Sequence, residues 1–319
     1  MALCVWVGSL AVAATGMLAA SASPLQFRPF ADTGIPLTDI LWTGDRFLYL
    51  ENTTNTVWAA GPAGAPLERF ASMPREVEET RCRLSPGAHG FPRGEIFCHA
   101  PDNTIYRISA DGSTVAVFAQ LPDAAVSDGA LAFDTTGQFG YALIAATGRS
   151  GGPTPAGGTV FAVSPTGNVR TVGTYAVPGG ADELVVAPAR FGSAAGNVVL
   201  AVDAGNQGTL VVMDPRGRTR TIARLPDGPN PIVVVRRSQG SATAGARPGL
   251  YVVDTLSHQV LFAAAPQFAS DVGHLIVGTE LKGQFWVVQP RRRGFQTRRV
   301  ATNLTSTSFN LEGATYVSG

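Results

Sequence analysis

Five short apolar strands in this chain begin on a residue with a side-chain oxygen. They are Asp39 in "TDILWTG", Asp128 in "DGALAFD", Asp182 with Glu183 in "DELVVAP", Asn230 in "NPIVVV" and Glu312 in "LEGATYV". Carboxylate and amide oxygens gathered around one axis are the donor set that Ca²⁺ or Mg²⁺ takes. Carboxylates held close together also raise one another's pKa unless a cation or a proton intervenes, and one tuned in this way can act as a general base. The same residue types favour the turns that lead into strands, because their side chains cap backbone N–H groups. Which of the two roles applies depends on the elements that carry them.

Those elements repeat. An apolar strand, a polar turn and a second alternating strand recur as "FLYLENTTNTVWAAGP" from Phe47, "IFCHAPDNTIYRISADG" from Ile96 and "YALIAATG…GGTVFAVSPTG" from Tyr141. They recur again as "VVLAVDAGNQGTLVVMDPRG" from Val198, "LYVVDTLSHQVLFAAAP" from Leu250 and "LIVGTELKGQFWVVQP" from Leu275. Most copies are preceded by one of the leading strands above and followed by an Arg/Thr/Val strand such as "NVRTVGTYA". Four antiparallel strands per about 40–55 residues is the signature of a propeller blade. The expectation is an all-β, six-bladed β-propeller forming one domain over residues 23–319. The last leading strand, "LEGATYV", has no hairpin after it, and "LQFRPFAD" at Leu25 reads as an outer strand ahead of the first complete blade. Terminal strands therefore close the ring in a shared sheet, which removes exposed edges. Leading strands line the channel of a propeller, so their first residues converge on one mouth.

Composition excludes several classes. The chain has 319 residues, a net charge of +1 and 15% charged residues, and Lys282 is the one lysine among its 24 basic residues. No dense basic stripe with interleaved aromatics marks a nucleic-acid binder, and "QPRRRGF" at Gln289–Phe295 reads as a solvated hairpin turn. Residues 1–22 are free of charge, with an apolar core and the cleavage pattern Ala20-Ser21-Ala22, which reads as an export signal or, uncleaved, as an anchor. Cleavage leaves Cys82 and Cys98 in a secreted or periplasmic chain, on neighbouring strands where a cross-strand disulfide is reasonable and two buried thiols are the alternative. No membrane span is expected after cleavage, and the chain reads as a monomer.

The stretch "PNPIVVV…GLYVVDTLSHQVL" from Pro229 to Leu261 resembles the senescence-marker/gluconolactonase (regucalcin-like) family and, more loosely, the NHL-repeat and virginiamycin B lyase-like propellers. That family holds a divalent metal in the channel through a Glu, Asn and Asp set and hydrolyses sugar lactones with an Asp base. The resemblance implies a metal held by Asn230, Glu312 and Asp128; Asp39, at the start of another leading strand, is a further candidate ligand, and the family's base has no unambiguous counterpart, Asp182 being the best remaining candidate. Ser127 and Pro231 depart from the family pattern, and Glu312 lies near the end of this sequence where the family has its Glu at the start.

Other constellations are weaker. His258 or His274 with Glu280 could mimic the histidine and glutamate pair of a lyase if either faced the acidic ring. "GRSGGPTPAGG" at 148–158 joins two strands and so is no phosphate-cradling loop. Trp42, Trp58 and Trp286 fall in strands, where packing between blades is the default. Three functions remain: a divalent-metal hydrolase of a lactone or small ester, a non-catalytic propeller that binds an extracellular ligand through its loops, and a lyase.

Overall fold

The computed structural model describes residues 24–75, 78–123, 127–148, 157–237, 245–306 and 308–318. The expected export segment with Cys4, and most of the glycine-rich stretch 148–158, lie outside the described residues.

A strand that is apolar on both faces must have a layer packed against each. The strand Val198–Asp203, VVLAVD, is buried along its whole length. Its alternate side chains enter two different cores: Val198, Leu200 and Val202 join one, Val199 and Ala201 another. Six apolar clusters are arranged in this way, each filling the junction between two neighbouring sheets.

After β1 (Arg28–Asp32), four sheets follow one another, each of four antiparallel strands in chain order. The first blade is β2 (Leu37–Trp42), β3 (Phe47–Glu51), β4 (Thr56–Ala60) and β5 (Glu68–Ser72). The second is β6 (Arg81–Leu84), β7 (Ile96–His99), β8 (Thr104–Ile108) and β9 (Val115–Gln120). The third is β10 (Leu131–Phe133), β11 (Leu143–Ala146), β12 (Gly158–Val163) and β13 (Val169–Tyr175). The fourth is β14 (Gly180–Val186), β15 (Val198–Asp203), β16 (Gly208–Met213) and β17 (Thr219–Leu225). The remaining strands are β18 (Ile232–Val234), β19 (Gly249–Asp254), β20 (Gln259–Ala264), β21 (Leu275–Gly278), β22 (Phe285–Pro290), β23 (Phe295–Val300) and β24 (Leu311–Val317). The protein is a six-bladed β-propeller, and β2, β6, β10, β14, β18 and β24 are the inner strands around the channel.

The last two blades are interleaved. β18 does not pair with the hairpin that follows it; it pairs with β21, in the sheet β18-β21-β22-β23. The intervening hairpin β19–β20 is inserted into the closing blade, in the order β1-β20-β19-β24. Terminal strands thus share a sheet, as the unpaired "LEGATYV" and "LQFRPFAD" imply, and the hairpin they flank comes from between β18 and β21 in the chain. The leading strand Ile232–Val234 therefore heads the hairpin from Leu275, not the one from Leu250.

Cys82 and Cys98 are directly opposed on β6 and β7 and form a disulfide. The bridge pins the inner strand of the second blade, which carries Arg81 and Arg83, to its neighbour. Loop-closure entropy puts the bridge at about 3 kcal/mol. Replacing both cysteines, Cys82→Ser with Cys98→Ser, is expected to lower the unfolding free energy in urea by about that amount, and a thiol assay on the unfolded wild-type protein should find no free sulfhydryl from this pair.

Candidate functional site

Adjacent residues on a strand ordinarily point to opposite faces. Asp182 and Glu183 nevertheless both face the channel, because a β-bulge between Ala181 and Glu183 makes Asp182 an extra residue opposite β15. Bulges re-aim side chains in this way. Two other inner strands carry one at the same mouth: Thr38 is extra on β2, and Glu312 with Gly313 stand opposite Val253 on β24. The approach there is close enough that a Cβ at Gly313 would lie 2.2 Å from Asp39 Oδ1. Gly129, after Asp128, adopts a φ of +79°, and a Cβ there would meet backbone atoms of His99, Glu79 and Arg81.

The second blade supplies what the leading strands of the sequence do not show. Its inner strand begins with Arg81, whose side chain is fully buried. One guanidinium nitrogen donates to Asp182 Oδ1 at 2.9 Å and to Glu312 Oε2 at 2.5 Å, and the other donates to the Thr38 carbonyl. Glu79 Oε2 lies 3.7 Å away. Asn230 Nδ2 completes the layer by donating to Asp182 Oδ2 at 2.9 Å and Glu312 Oε2 at 2.7 Å. A second layer lies two residues along β6, where Arg83 donates to Asp39 Oδ2 at 2.9 Å and to Glu183. Asp39 also accepts from the backbone N–H groups of Ile40 and Cys82, and Glu183 from that of Ile232.

Of the expected residues, Asp182, Asn230 and Glu312 therefore meet, with Glu79 as a fourth member. Asp39 sits in the second layer with Arg83. Asp128 is buried on the same mouth, close enough to Glu79 to help raise its pKa. Glu280, in the β21–β22 turn, and Asp203, at the end of β15, add further carboxylates to the rim. Asp39, Glu79, Asp182, Glu183 and Glu312 give five carboxylates around the two guanidinium groups.

Burial pushes the Glu79 carboxyl up to about 7, with Asp182 and Asp128 adding to the rise against the pull of Arg81. Burial, then Asp182, Asp203 and Glu79, push Glu280 up to about 8. Asp203 rises to about 6, chiefly through burial. Glu312 is raised well above the usual carboxylate range by burial and by Glu79. Burial alone would lower the pKa of Arg81, but Glu312, Asp182 and Glu79 outweigh it and raise the pKa further.

Oxygen atoms of Glu79, Asp182 and Glu312 lie within 4.8 Å of one another, a spacing at which three carboxylates can share a cation. The donor chemistry suits a hard ion, and Asn230 Oδ1 is a buried acceptor without a hydrogen-bond partner among the described residues. As arranged, however, the residues do not fit a resident divalent ion. The Arg81 guanidinium already lies between Asp182 and Glu312 and supplies the positive charge there.

The histidines stand apart from this layer. His274 is at the far end of the β18–β21 pairing from Asn230, beside Asp271. His258 lies in the β19–β20 turn, and its carbonyl accepts from Thr33 beyond the outer strand β1. His99, buried between Ala130 O and Ser127 Oγ, is pushed down to about 4, chiefly by burial, and is neutral.

No family model matches the chain, and no curated protein matches its sequence. Among solved structures it is similar to a chain of a nidogen/laminin complex, at 10% identity and a TM-score of 0.53, over 87% of this chain and 83% of that one. It also matches a streptogramin B lyase (12% identity, TM-score 0.49, 87% and 73% covered) and Kuenenia stuttgartiensis hydrazine synthase (9%, 0.49, 85% and 68%). The nidogen/laminin likeness shows the propeller fold alone.

Two outcomes follow from the charges. Arg81→Ala leaves Asp182 and Glu312 buried without their counter-charge, and is expected to cost about 3–5 kcal/mol in urea unfolding. Glu79 and Glu280 hold their protons more tightly folded than unfolded, where the ordinary value is 4.5. The stability they contribute is fully present below that value and is lost as pH rises through about 7 and 8. Melting temperature should therefore fall over this window, and Glu280→Gln should flatten the upper part of the fall.

Proposed function

We propose that this chain is a binding propeller whose channel mouth receives a positively charged group of an extracellular ligand. One observation carries the reading: the channel layer is closed by its own cation, Arg81, while carboxylates remain in excess at the rim. Glu79 and Glu280 are both half-buried and reach the surface. Glu79 has only a distant share of Arg81, and beneath them Asn230 Oδ1 is an acceptor without a donor among the described residues. An ammonium or guanidinium group supplies both the charge and the N–H donors that this arrangement lacks.

A second reading is the divalent-metal hydrolase of a lactone or small ester, with Asp182 as base. The 4.8 Å grouping of Glu79, Asp182 and Glu312 favours it, but it requires Arg81 to leave its position between two of those carboxylates. Arg81 and Asn230 already donate to the two carboxylate oxygens of Asp182, so a substrate or water would have to displace one of them to reach it.

Calorimetric titration separates the two. Titration with 1,4-diaminobutane is expected to give a single-site signal, weakened at least tenfold by Glu79→Gln with Glu280→Gln, while Ca²⁺, Mg²⁺ and Mn²⁺ give none. Metal-dependent turnover of a sugar lactone that disappears in Glu312→Gln would overturn the binding reading in favour of the hydrolase.

A further inference from the structure

The face opposite the acidic mouth has the reverse charge, concentrated on the fourth blade and the fifth, β18-β21-β22-β23. Arg190 lies in the β14–β15 turn and Arg291, Arg292 and Arg293 in the β22–β23 turn, all four exposed. Contacts between the two blades make these turns neighbours. Arg220 on β17 donates to Ser193 Oγ at 2.7 Å, and its guanidinium lies 5.1 Å from the centre of the Phe295 ring on β23. A Cβ at Gly192 would come 2.8 Å from Pro290. Arg236 and Arg237, just beyond β18, extend the same face inward along the fifth blade, and both are exposed. The acidic residues nearby already have partners: Asp214 is bonded to Arg218, and Asp271 to Arg298.

We infer that this arginine face docks on an anionic phospholipid surface, with the acidic mouth turned away from it. Guanidinium groups bind phosphate oxygens in bidentate fashion and are more weakly hydrated than ammonium groups. Turns from two neighbouring blades present them together at one end of the disc, which suits a plane of headgroups. Single strands of nucleic acid are gripped largely by stacking on aromatic platforms. Among the described residues, Phe295, the aromatic ring in contact with these arginines, is covered by Arg220, and the exposed Tyr141 of the same face lies in the β10–β11 turn of the third blade with its ring stacked on His89. Opposite charge on the two faces orients the disc, since a negative surface attracts one face and repels the other.

Flotation of the chain from Ser23, which contains all six sheets, with vesicles tests this. Binding is expected to vesicles of phosphatidylcholine with phosphatidylglycerol, not to phosphatidylcholine alone, and should be reversed by high salt. Arg291→Gln, Arg292→Gln and Arg293→Gln together should weaken it at least tenfold with an unchanged melting temperature. A charge-matched control on other blades, Arg69→Gln, Arg107→Gln and Arg170→Gln, should weaken it far less. The inference is overturned by no binding, by equal binding to the uncharged vesicles, by equal effects of the two triple variants, or by heparin or duplex DNA removing the protein from vesicles at equal charge concentration.

Discussion

A single buried guanidinium ties this propeller together across its axis. Arg81 belongs to the second blade, yet its partners are Thr38 of the first, Asp182 of the fourth and Glu312 of the sixth. Arg83 repeats the pattern one layer along, joining Asp39 of the first blade to Glu183 of the fourth. The apolar cores act only between neighbouring blades, whereas these two side chains also reach blades that are not neighbours of their own, the fourth and the sixth. A charge so deeply buried is tolerated only when paired and hydrogen-bonded. The bulges at Thr38, Asp182 and Glu312 are the local distortions that bring those partners within reach.

Ring closure depends on the same place. β24 brings Glu312 to the channel and also forms the inner edge of the blade completed by β1. Because the β19–β20 hairpin lies between β18 and β21 in the chain but belongs to the closing sheet, the fifth blade forms around an insertion, and the closing blade is completed only when β24 adds beside β19. Closure by distant strands and the Arg81–Glu312 pair therefore reinforce each other, one through backbone pairing and the other through charge. The cost is an inner layer in which carboxylates outnumber guanidinium groups; burial, with neighbouring carboxylates adding to it, raises the pKa values of Glu79 and Glu280 on the rim.

The blade pattern was legible because period-2 apolar runs and polar turns are local signals. Asp182, Asn230 and Glu312 were legible as well, since each stands where a leading strand begins. Arg81 and Arg83 were not. The leading strand of the second blade, RCRL, begins with a base and carries no apolar run, so it gave no sign of its place beyond Cys82 itself. The one available signal was alternation: Arg81 and Arg83 flank Cys82, and a cysteine paired to the next strand sends both arginines to the other face. Glu79 and Glu280 lie in turns, where side-chain position depends on the closed ring. The interleaving of the last two blades was hidden for a related reason, because strand pairing across the closure is decided by geometry and not by local pattern. The arginine face likewise joins residues far apart in sequence.

In this structure the positive charge between Asp182 and Glu312 is the Arg81 guanidinium. Crystals grown in manganese and measured at a wavelength where manganese scatters anomalously would test it most directly. The expected result is guanidinium density between Asp182 and Glu312 with no anomalous peak beside it. A manganese peak bridging those carboxylates and Asn230 Oδ1, with Arg81 displaced, would contradict it.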